Sequence, residues 1–248
     1  ALGLLLLVLV LIIGETGRGA QRWLDLGIVR FQPSELMKLA VPMVVAWLLA
    51  ERDLPPSMAR TFAAGIFILL PVMLIAKQPD LGTAVLVAAA GFSVLFVGGI
   101  SRRLIGVTAL LGAASAPALW YMLHDYQRRR VHMFFDPEQD PLGSGYHIIQ
   151  SKIAIGSGGA LGKGLFNGTQ SQLGFLPERH TDFIYAVIGE EMGFVGTTTI
   201  LAFYLLLIWR IVSIGKLARD RYGFLVCSGL ATMFCFELVL NVGMCLGL

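Results

Sequence analysis

Seven apolar runs constrain this chain more than any other feature of its sequence. Hydrophobic residues make up 56% of the 248 residues and the mean hydropathy is +0.75, which leaves too few polar side chains to cover a soluble globule of this length. A helix needs about 20 apolar residues to cross a bilayer. We therefore predict an all-α polytopic membrane protein with seven spans or part-spans, at residues 1–13, 36–50, 61–76, 81–100, 104–123, 183–209 and 222–248.

The polar segments between these runs are short, with one exception at residues 124–182. We expect a single integral membrane domain over residues 1–248, with residues 124–182 forming one large loop. The run at 1–13 is short for a crossing and has no basic region or cleavage site typical of a signal peptide. The run at 222–248 reaches the last residue without a polar exit, so we expect the chain to be truncated at both ends.

The orientation follows from the Lys and Arg residues of the short loops, which favour the cytoplasmic side. The loops at 51–60, 101–103 and 210–221 contain eight of these residues, against four in the loops on the opposite side. The long loop is left out because long segments cross the membrane regardless of charge. We therefore expect residues 124–182 to face outward from the cytoplasmic membrane.

Composition and motifs argue against several function classes. The three cysteines, Cys227, Cys235 and Cys245, all lie in the last apolar run and predict core packing rather than disulfides. The net charge of +3 is spread over both sides, which excludes nucleic-acid binding. The four histidines lack zinc-ligand spacing. The glycine-rich residues 155–164 fit no nucleotide-binding fingerprint and leave two interpretations open: close approach to a bulky ligand, or a re-entrant segment on the membrane.

The first outward loop leads into a span that carries an ionisable side chain. Lys38 lies inside the apolar run, where a charge is costly unless it faces a partner or a water-filled cavity. Glu35 is three residues earlier and can pair with it. The Pro33-Ser34 dipeptide also fits a simple helix start, and an interfacial role in the membrane remains open for Trp23, Arg22 and Arg30.

Two further outward positions carry polar residues that packing does not require. A tight turn in the link at 77–83 explains Pro79 and Gly82, but it does not explain Gln78 and Asp80. Asp182 lies where the long loop enters the span at 183–209, and a helix N-cap is the structural alternative for its carboxylate.

The span that follows Asp182 contains an acidic residue and a pair of glycines. Glu190 lies about two turns further along, and roughly 80° around the helix axis if the helix starts at Asp182. Gly189 and Gly193 form a G-x-x-x-G pair, which predicts a close helix contact.

Three motifs occur in order along the chain and resemble the SEDS family of shape, elongation, division and sporulation proteins. They are residues 19–38, with GAQRWLD and FQPSELMK, residues 78–83, with QPDLGT, and residues 177–184, with PERHTDFI. Residues 124–128 and 140–151 are similar to the rod-shape branch more than to the division branch. The resemblance covers nearly the whole chain.

The resemblance implies a helical bundle of about ten spans that acts as a peptidoglycan glycosyltransferase. Such an enzyme polymerises lipid II on the outer face of the bacterial inner membrane during cell elongation. It also implies two partners, namely a class B penicillin-binding protein transpeptidase and the elongation machinery. Relative to the family, we expect this chain to lack the first two spans and the C-terminal end.

The implied reaction assigns roles to the polar residues. Asp182 is expected to be the general base that deprotonates the attacking sugar hydroxyl. Arg22, Arg30 and Lys38, with Arg179 as a weaker candidate, are expected to stabilise the leaving pyrophosphate, and Glu35 to orient Lys38. A divalent cation, Mg²⁺ or Mn²⁺, is a candidate to share that task. Gln78 and Asp80 shape either the sugar site or the cation site. The remaining expected substrate-binding residues are Trp23, Glu178, His180 and Thr181.

Two other function classes use some of the same residues. A lipid II flippase would hold the pyrophosphate with the same cations, and Lys38 and Glu190 would suit a transport path. A scaffold that only recruits a transpeptidase would leave the charged motifs unexplained. The three motifs all fall on one outer face, whereas a transporter should present a midplane site reachable from both sides, so the sequence favours the enzyme.

Overall fold

The computed structural model describes residues 2–17, 20–25, 30–51, 55–122, 144–176 and 180–247. Each of the seven apolar runs contains a helix, as predicted. These helices are α1 (Leu2–Ile13), α2 (Pro33–Ala50), α3 (Met58–Lys77), α4 (Leu81–Val97), α5 (Arg102–Met122), α8 (Ile184–Leu217) and α9 (Arg221–Leu246). Two further helices, α6 (Ser144–Gly158) and α7 (Thr169–Gln172), lie within the long polar segment.

Four of the described helices are long and apolar enough to cross a membrane, namely α2, α3, α8 and α9. The shorter helices α1 and α4 are also apolar. Helix α8 continues beyond the end of its apolar run at residue 209 and includes Arg210 and Lys216. An α-helix can continue past its apolar run because its backbone hydrogen bonds are satisfied within the helix in both lipid and water.

The chain divides into two compact units. The first contains Ala1–Gly106 and Ile208–Phe236, and the second contains Val107–Leu207 and Glu237–Leu248. The expectation of one integral membrane domain stays a prediction.

The first unit is built around helices α1 to α4. Its buried core is apolar and comes from all four helices together with Leu225 of α9: Leu7, Met37, Val41, Val45, Ala46, Leu49, Ala64, Ile68, Ile75, Ala84, Val87, Val94, Leu95 and Leu225. Small residues set the spacing, since a Cβ added at Gly91 would lie 2.7 Å from Ile68 Cγ1. The close packing of α3 and α4 fixes the turn between them, which carries Gln78 and Asp80.

A small antiparallel sheet follows α1, in the segment that we predicted only as an outward loop. Its strands β1 (Glu15–Gly17), β2 (Ala20–Asp25) and β3 (Arg30–Phe31) are ordered β1-β2-β3. In the described backbone Trp23 pairs with Glu15 and Asp25 pairs with Arg30. Strands of two to six residues carry too little alternation to be recognised from sequence. Helix α2 begins immediately afterwards at Pro33, as its terminus signals predicted.

The second unit packs α6 against the beginning of α8 and the end of α9. Its buried core consists of Ala154, Leu176, Phe183, Ala186 and Cys245. The Ser151 hydroxyl donates to the Cys245 carbonyl at 2.7 Å. The cysteines are free, as predicted, but only Cys245 is fully buried. The prediction of core packing is wrong for Cys235, whose side chain is exposed, because it lies on the outer face of α9.

Helix α8 is interrupted at Gly193, which has φ 64° and ψ −158°. Residues 159–164 lie directly against this break. Their backbone forms four hydrogen bonds with it: Lys163 N to Glu190 O at 3.0 Å, Gly164 N to Glu191 O at 3.0 Å, Phe194 N to Gly159 O at 2.9 Å and Val195 N to Ala160 O at 3.1 Å. The backbone groups freed by the break are therefore satisfied by another segment of the chain.

The glycines of this region permit close approach between two backbone segments, as the G-x-x-x-G pair of Gly189 and Gly193 predicted. A Cβ at Gly158 would lie 1.9 Å from the Gly189 carbonyl oxygen, and one at Gly162 would lie 2.2 Å from the Glu191 carbonyl oxygen. A Cβ at Gly193 would lie 2.3 Å from the Gly162 nitrogen. The glycine-rich sequence at 155–164 therefore packs against the backbone of α8.

We expect Gly158→Ala to lower the free energy of unfolding by about 1–3 kcal/mol, because a Cβ at this position would have to displace rigid backbone. Gly156→Ala is the matched control, since it lies in the same helix and its Cβ would meet nothing within 4 Å. The control should be neutral or slightly stabilising. Thermal unfolding in detergent measures both, and equal midpoints for the two variants would contradict this packing.

Candidate functional site

The turn between α3 and α4 carries a cluster of polar side chains centred on Asp80. Asp80 is the N-cap of α4, and its carboxylate accepts from the Thr83 amide at 3.3 Å. Arg22 reaches this turn from β2. Its Nε donates to the Gln78 carbonyl at 3.2 Å, its Nη2 donates to the Pro79 carbonyl, and its Nη1 lies 3.9 Å from Asp80 Oδ1. The structure thus brings Arg22 of one sequence motif into contact with Gln78 and Asp80 of another.

The start of α2 joins the same cluster. Gln32 donates from Nε2 to Asp80 Oδ2 at 3.1 Å and to Ser34 Oγ at 2.9 Å. The Asp80 side chain is only 10% exposed and Ser34 is buried. Gln32 and Ser34 were part of a recognised motif but were not predicted as site residues. Their sequence signal was indistinguishable from that of a helix start.

Gln78 is buried at 1% exposure although it lies in a turn. Its Nε2 donates to the Leu7 carbonyl of α1 at 3.0 Å. Within the described part of the chain, its Oε1 is buried without a hydrogen-bond partner. Gln78 therefore connects the turn to α1 through its side-chain amide.

The predicted pair at the start of α2 is confirmed. Lys38 Nζ lies 2.9 Å from Glu35 Oε2, and the Lys38 side chain is 14% exposed against 53% for Glu35. The Lys38 ammonium is thus held near the start of α2, not deep within the apolar run. Trp23 on β2 is partly exposed and Arg30 on β3 is exposed. In the first unit, Arg22 and Lys38 each lie close to a carboxylate, that of Asp80 and of Glu35 respectively.

Asp182 belongs to the second unit and lies in the turn just before α8. Its side chain is exposed, as are those of His180 and Thr181. The next residue, Phe183, is buried, and the Cys245 thiol donates to the Asp182 carbonyl at 3.6 Å. The backbone around Asp182 is thereby held on both sides while its side chain is exposed. The predicted site residues Glu178 and Arg179 lie outside the described residues.

Glu190 has a role that the sequence left open. Its carboxylate is fully buried, and its Oε1 lies 2.8 Å from Lys163 Nζ. Thr169 Oγ1 donates to Oε1 at 3.1 Å, and the backbone amides of Gln170 and Ser171 donate to the carboxylate at 2.9 and 3.0 Å. Through these contacts Glu190 holds residues 163–171 against α8. A transport path is not needed to explain why it lies inside an apolar run.

Among the described residues, no group of three or more His, Cys, Asp or Glu side chains could hold a metal ion. At the turn between α3 and α4 the described carboxylate is that of Asp80, and it already accepts from Gln32 and the Thr83 amide. The expected divalent cation stays a prediction.

We expect Asp80→Ala to lower the free energy of unfolding by about 1–3 kcal/mol, because it removes the cap of α4 and an acceptor for Gln32. Asp80→Asn retains a side-chain oxygen that can cap the helix, so its loss should be clearly smaller. Thermal unfolding of the two variants under identical conditions measures the difference, and equal losses would show that the carboxylate oxygen contributes through neither contact.

We expect Glu190→Gln to be among the most destabilising single substitutions in this chain, costing about 3–5 kcal/mol, because it breaks a buried ion pair. One end of the new side chain would also be an NH2 group, which cannot accept from the donors that now contact each carboxylate oxygen. The adjacent Glu191→Gln is the matched control, since the Glu191 side chain is only partly buried. Similar unfolding midpoints for both variants would contradict the role assigned to Glu190.

The chain is similar in sequence to known proteins over its whole length. The model of the FtsW/RodA/SpoVE family, described as cell cycle proteins, matches residues 1–248. The peptidoglycan glycosyltransferase MrdB of Escherichia coli is 55% identical over 246 residues, which cover 99% of this chain and 66% of MrdB. A probable peptidoglycan glycosyltransferase FtsW of E. coli is 40% identical over 253 residues, covering 99% of this chain and 60% of that protein.

Solved structures agree with these relatives. One chain of a peptidoglycan synthase complex that coordinates polymerisation and crosslinking is 38% identical, with a TM-score of 0.80 over 100% of this chain and 69% of that chain. RodA of Thermus thermophilus is 33% identical, with a TM-score of 0.65 over 98% of this chain and 63% of that chain.

The present chain spans about two thirds of the length of these relatives. Its higher identity to MrdB, a RodA protein, than to FtsW confirms the rod-shape branch. The chain belongs to the FtsW/RodA/SpoVE family, which is the SEDS family that its motifs resemble.

Proposed function

We propose that this chain is the polymerising part of a peptidoglycan glycosyltransferase that extends glycan strands from lipid II during cell elongation. The observation that carries this proposal is the 55% identity to a protein named peptidoglycan glycosyltransferase MrdB, over 99% of this chain. The exposed Asp182 and the cations at the outer helix ends of the first unit supply the side-chain chemistry that this reaction needs.

The proposed reaction is a single displacement at an anomeric carbon. A hydroxyl of one lipid-linked sugar attacks the anomeric carbon of another, the new C–O bond forms, and the bond to undecaprenyl pyrophosphate breaks. The bonding electrons leave with the pyrophosphate, and the hydroxyl proton goes to a base. An α-linked donor then gives a β-linked product by inversion, and no covalent enzyme intermediate is needed.

Asp182 is our candidate for that base. A carboxylate can accept the proton only if substrate can reach it, and the Asp182 side chain is exposed. The flanking contacts of Phe183 and Cys245 restrict the backbone from which it projects. Such a reactive group on a fixed support is the arrangement expected of a catalytic residue.

The cations of the first unit are our candidates for stabilising the pyrophosphate. Negative charge builds on this group as it departs, and nearby ammonium or guanidinium groups lower the barrier. Lys38 is oriented by Glu35, and Arg30 is exposed on β3. Arg22 donates to two carbonyls of the turn at 78–80, so part of its role is to position Asp80 and Gln78.

Trp23, His180 and Thr181 are proposed to contact the sugars or peptide of the substrate, because each offers an exposed ring or polar group. Glu178 and Arg179 retain the same proposed role from their motif. Mg²⁺ or Mn²⁺ would add positive charge at the pyrophosphate when bound. Asp80 and Gln78 are the candidates to hold such an ion or to shape the sugar site.

The proposed location is the bacterial inner membrane, with residues 124–182 on the outer side. The excess of Lys and Arg in the short loops opposite supports this orientation. A class B penicillin-binding protein is the proposed partner, together with the elongation machinery. The similarity to a chain of a synthase complex that coordinates polymerisation and crosslinking supports such a partner.

We expect Asp182→Asn and Asp182→Ala to reduce the rate of glycan polymerisation by about 10²–10⁴-fold, because neither side chain can accept the hydroxyl proton. The assay uses purified lipid II and the full-length protein with its transpeptidase partner, and it follows strand formation. Asp220→Asn is the control, since Asp220 is exposed and far along the chain from the motif.

Unfolding midpoints and lipid II binding should be unchanged in all three variants. Undiminished polymer from the Asp182 variants would exclude Asp182 as the base. Wild-type protein that forms no polymer, yet moves lipid II between the leaflets of a vesicle, would replace the enzyme with a flippase.

A further inference from the structure

The polar segment between α6 and α8 carries large apolar side chains that point away from the protein. Leu161 and Phe166 are each 80% exposed, Leu173 is 69% exposed and Leu165 is 64% exposed. Phe166 has a φ of 62°, a costly conformation for an aromatic residue. We refer to Leu161, Leu165, Phe166 and Leu173 as the apolar rim. Nothing in the proposed reaction uses it.

Much of the backbone that carries the rim is hydrogen-bonded within the protein. Residues 159–164 exchange hydrogen bonds with the broken part of α8, as described above, and Gly162 N donates to Gly158 O at 2.8 Å. Asn167 N donates to Gly164 O at 3.2 Å, and Leu173 N donates to Thr169 O at 3.2 Å. Irregular backbone can lie at the edge of a bilayer only when its polar groups are satisfied in this way.

The position of the segment along α8 places the rim near the membrane boundary. Arg210 marks the polar end of the apolar run in α8. A crossing of about 20 residues counted back from Arg210 reaches Glu190. Residues 159–164 pair with the α8 backbone between Glu190 and Val195. By this count along the sequence, the residues of α8 that pair with the segment lie at the end of a crossing of about 20 residues, on the side nearer to residues 124–182.

The rim adjoins further exposed apolar side chains at the break in α8. Met192, Phe194 and Val195 at the break in α8 are 45%, 69% and 53% exposed. Phe194 and Val195 donate their amides to Gly159 and Ala160, the residues just before Leu161. Exposed apolar side chains therefore occur on both of the segments that these hydrogen bonds join. The buried ion pair of Glu190 with Lys163 holds the segment in place.

We infer that residues 159–175 form a membrane-interface element, in which the apolar rim inserts into the boundary between headgroups and acyl chains of the adjacent leaflet. Apolar side chains at this depth lose their contact with water, while polar neighbours such as Asn167 and Gln172 stay in the headgroup region. The occupant of this surface is the lipid bilayer. The inference depends on the membrane nature of the chain and not on the proposed reaction.

The first test measures the depth of labels in nanodiscs. Cys227, Cys235 and Cys245 are replaced by Ala in the full-length protein, and single cysteines are introduced as Leu161→Cys, Phe166→Cys or Leu173→Cys. Asn167→Cys and Gln172→Cys are the matched controls, because both residues are exposed in the same segment. Each cysteine carries a fluorescent NBD group, quenched by doxyl lipid from the bilayer or by iodide from water.

Rim labels should show several-fold stronger quenching by shallow doxyl lipid than the controls, and the controls should respond to iodide. Equal iodide quenching at rim and control positions would overturn the inference. Protection from iodide that requires the transpeptidase partner and occurs without lipid quenching would also overturn it, because the rim would then be a protein-binding surface.

A second measurement needs no substitution and remains valid if the cysteine-free protein does not fold. Wild-type protein in nanodiscs is photolysed with a phospholipid that carries a diazirine on its acyl chain, and the labelled residues are mapped by mass spectrometry. Phe203 of α8, which is 66% exposed, serves as the internal positive control. Adducts on the rim support the inference, and adducts on Phe203 without any on the rim would overturn it.

Discussion

A bilayer interior offers no water to hydrogen-bond a peptide group, and the rest of this structure depends on that constraint. Each unsatisfied backbone group in hydrocarbon costs several kcal/mol, so the apolar runs can only be helical. The same constraint governs the one clear exception among the described spans, the break in α8 at Gly193. There the freed backbone groups bond to residues 159–164 and not to solvent.

The break is supported by further side-chain hydrogen bonds. The hydroxyl of Thr197 donates to the Gly193 carbonyl at 3.2 Å, and those of Thr198 and Thr199 donate to Phe194 and Val195 at 2.7 Å. Glu190, one turn before the break, holds the neighbouring segment through Lys163 and two backbone amides. The break at Gly193 and the buried Glu190 carboxylate therefore occur together, because the same neighbouring segment satisfies the hydrogen-bonding groups of both. The small residues allow that segment to come close enough.

The described charged groups Asp80, Lys38 and Glu190 each have a hydrogen-bond partner or an opposite charge within contact distance. Asp80 caps α4 and contacts Arg22 and Gln32, while Lys38 is held by Glu35 near the start of α2. Asp182 is held through its backbone carbonyl, which accepts from the Cys245 thiol, and its side chain is exposed.

Periodicity and composition sufficed to predict the helices of the seven apolar runs, the start of α2 at Pro33 and the Glu35–Lys38 pair, because these depend on local sequence and on the solvent. The motifs identified the family and brought Asp182, Asp80 and Arg22 forward as site residues. Only the tertiary structure decided that Arg22 contacts the turn at 78–80, that Gln32 joins Asp80, that a small sheet follows α1 and that α8 breaks at Gly193. It also decided the role of Glu190, which the sequence could not distinguish from that of a transport residue. The strands of the sheet are too short to be recognised from sequence. The other features depend on contacts between residues far apart in the chain, and local sequence preference carries no information about which distant backbone group will satisfy a donor or a charge.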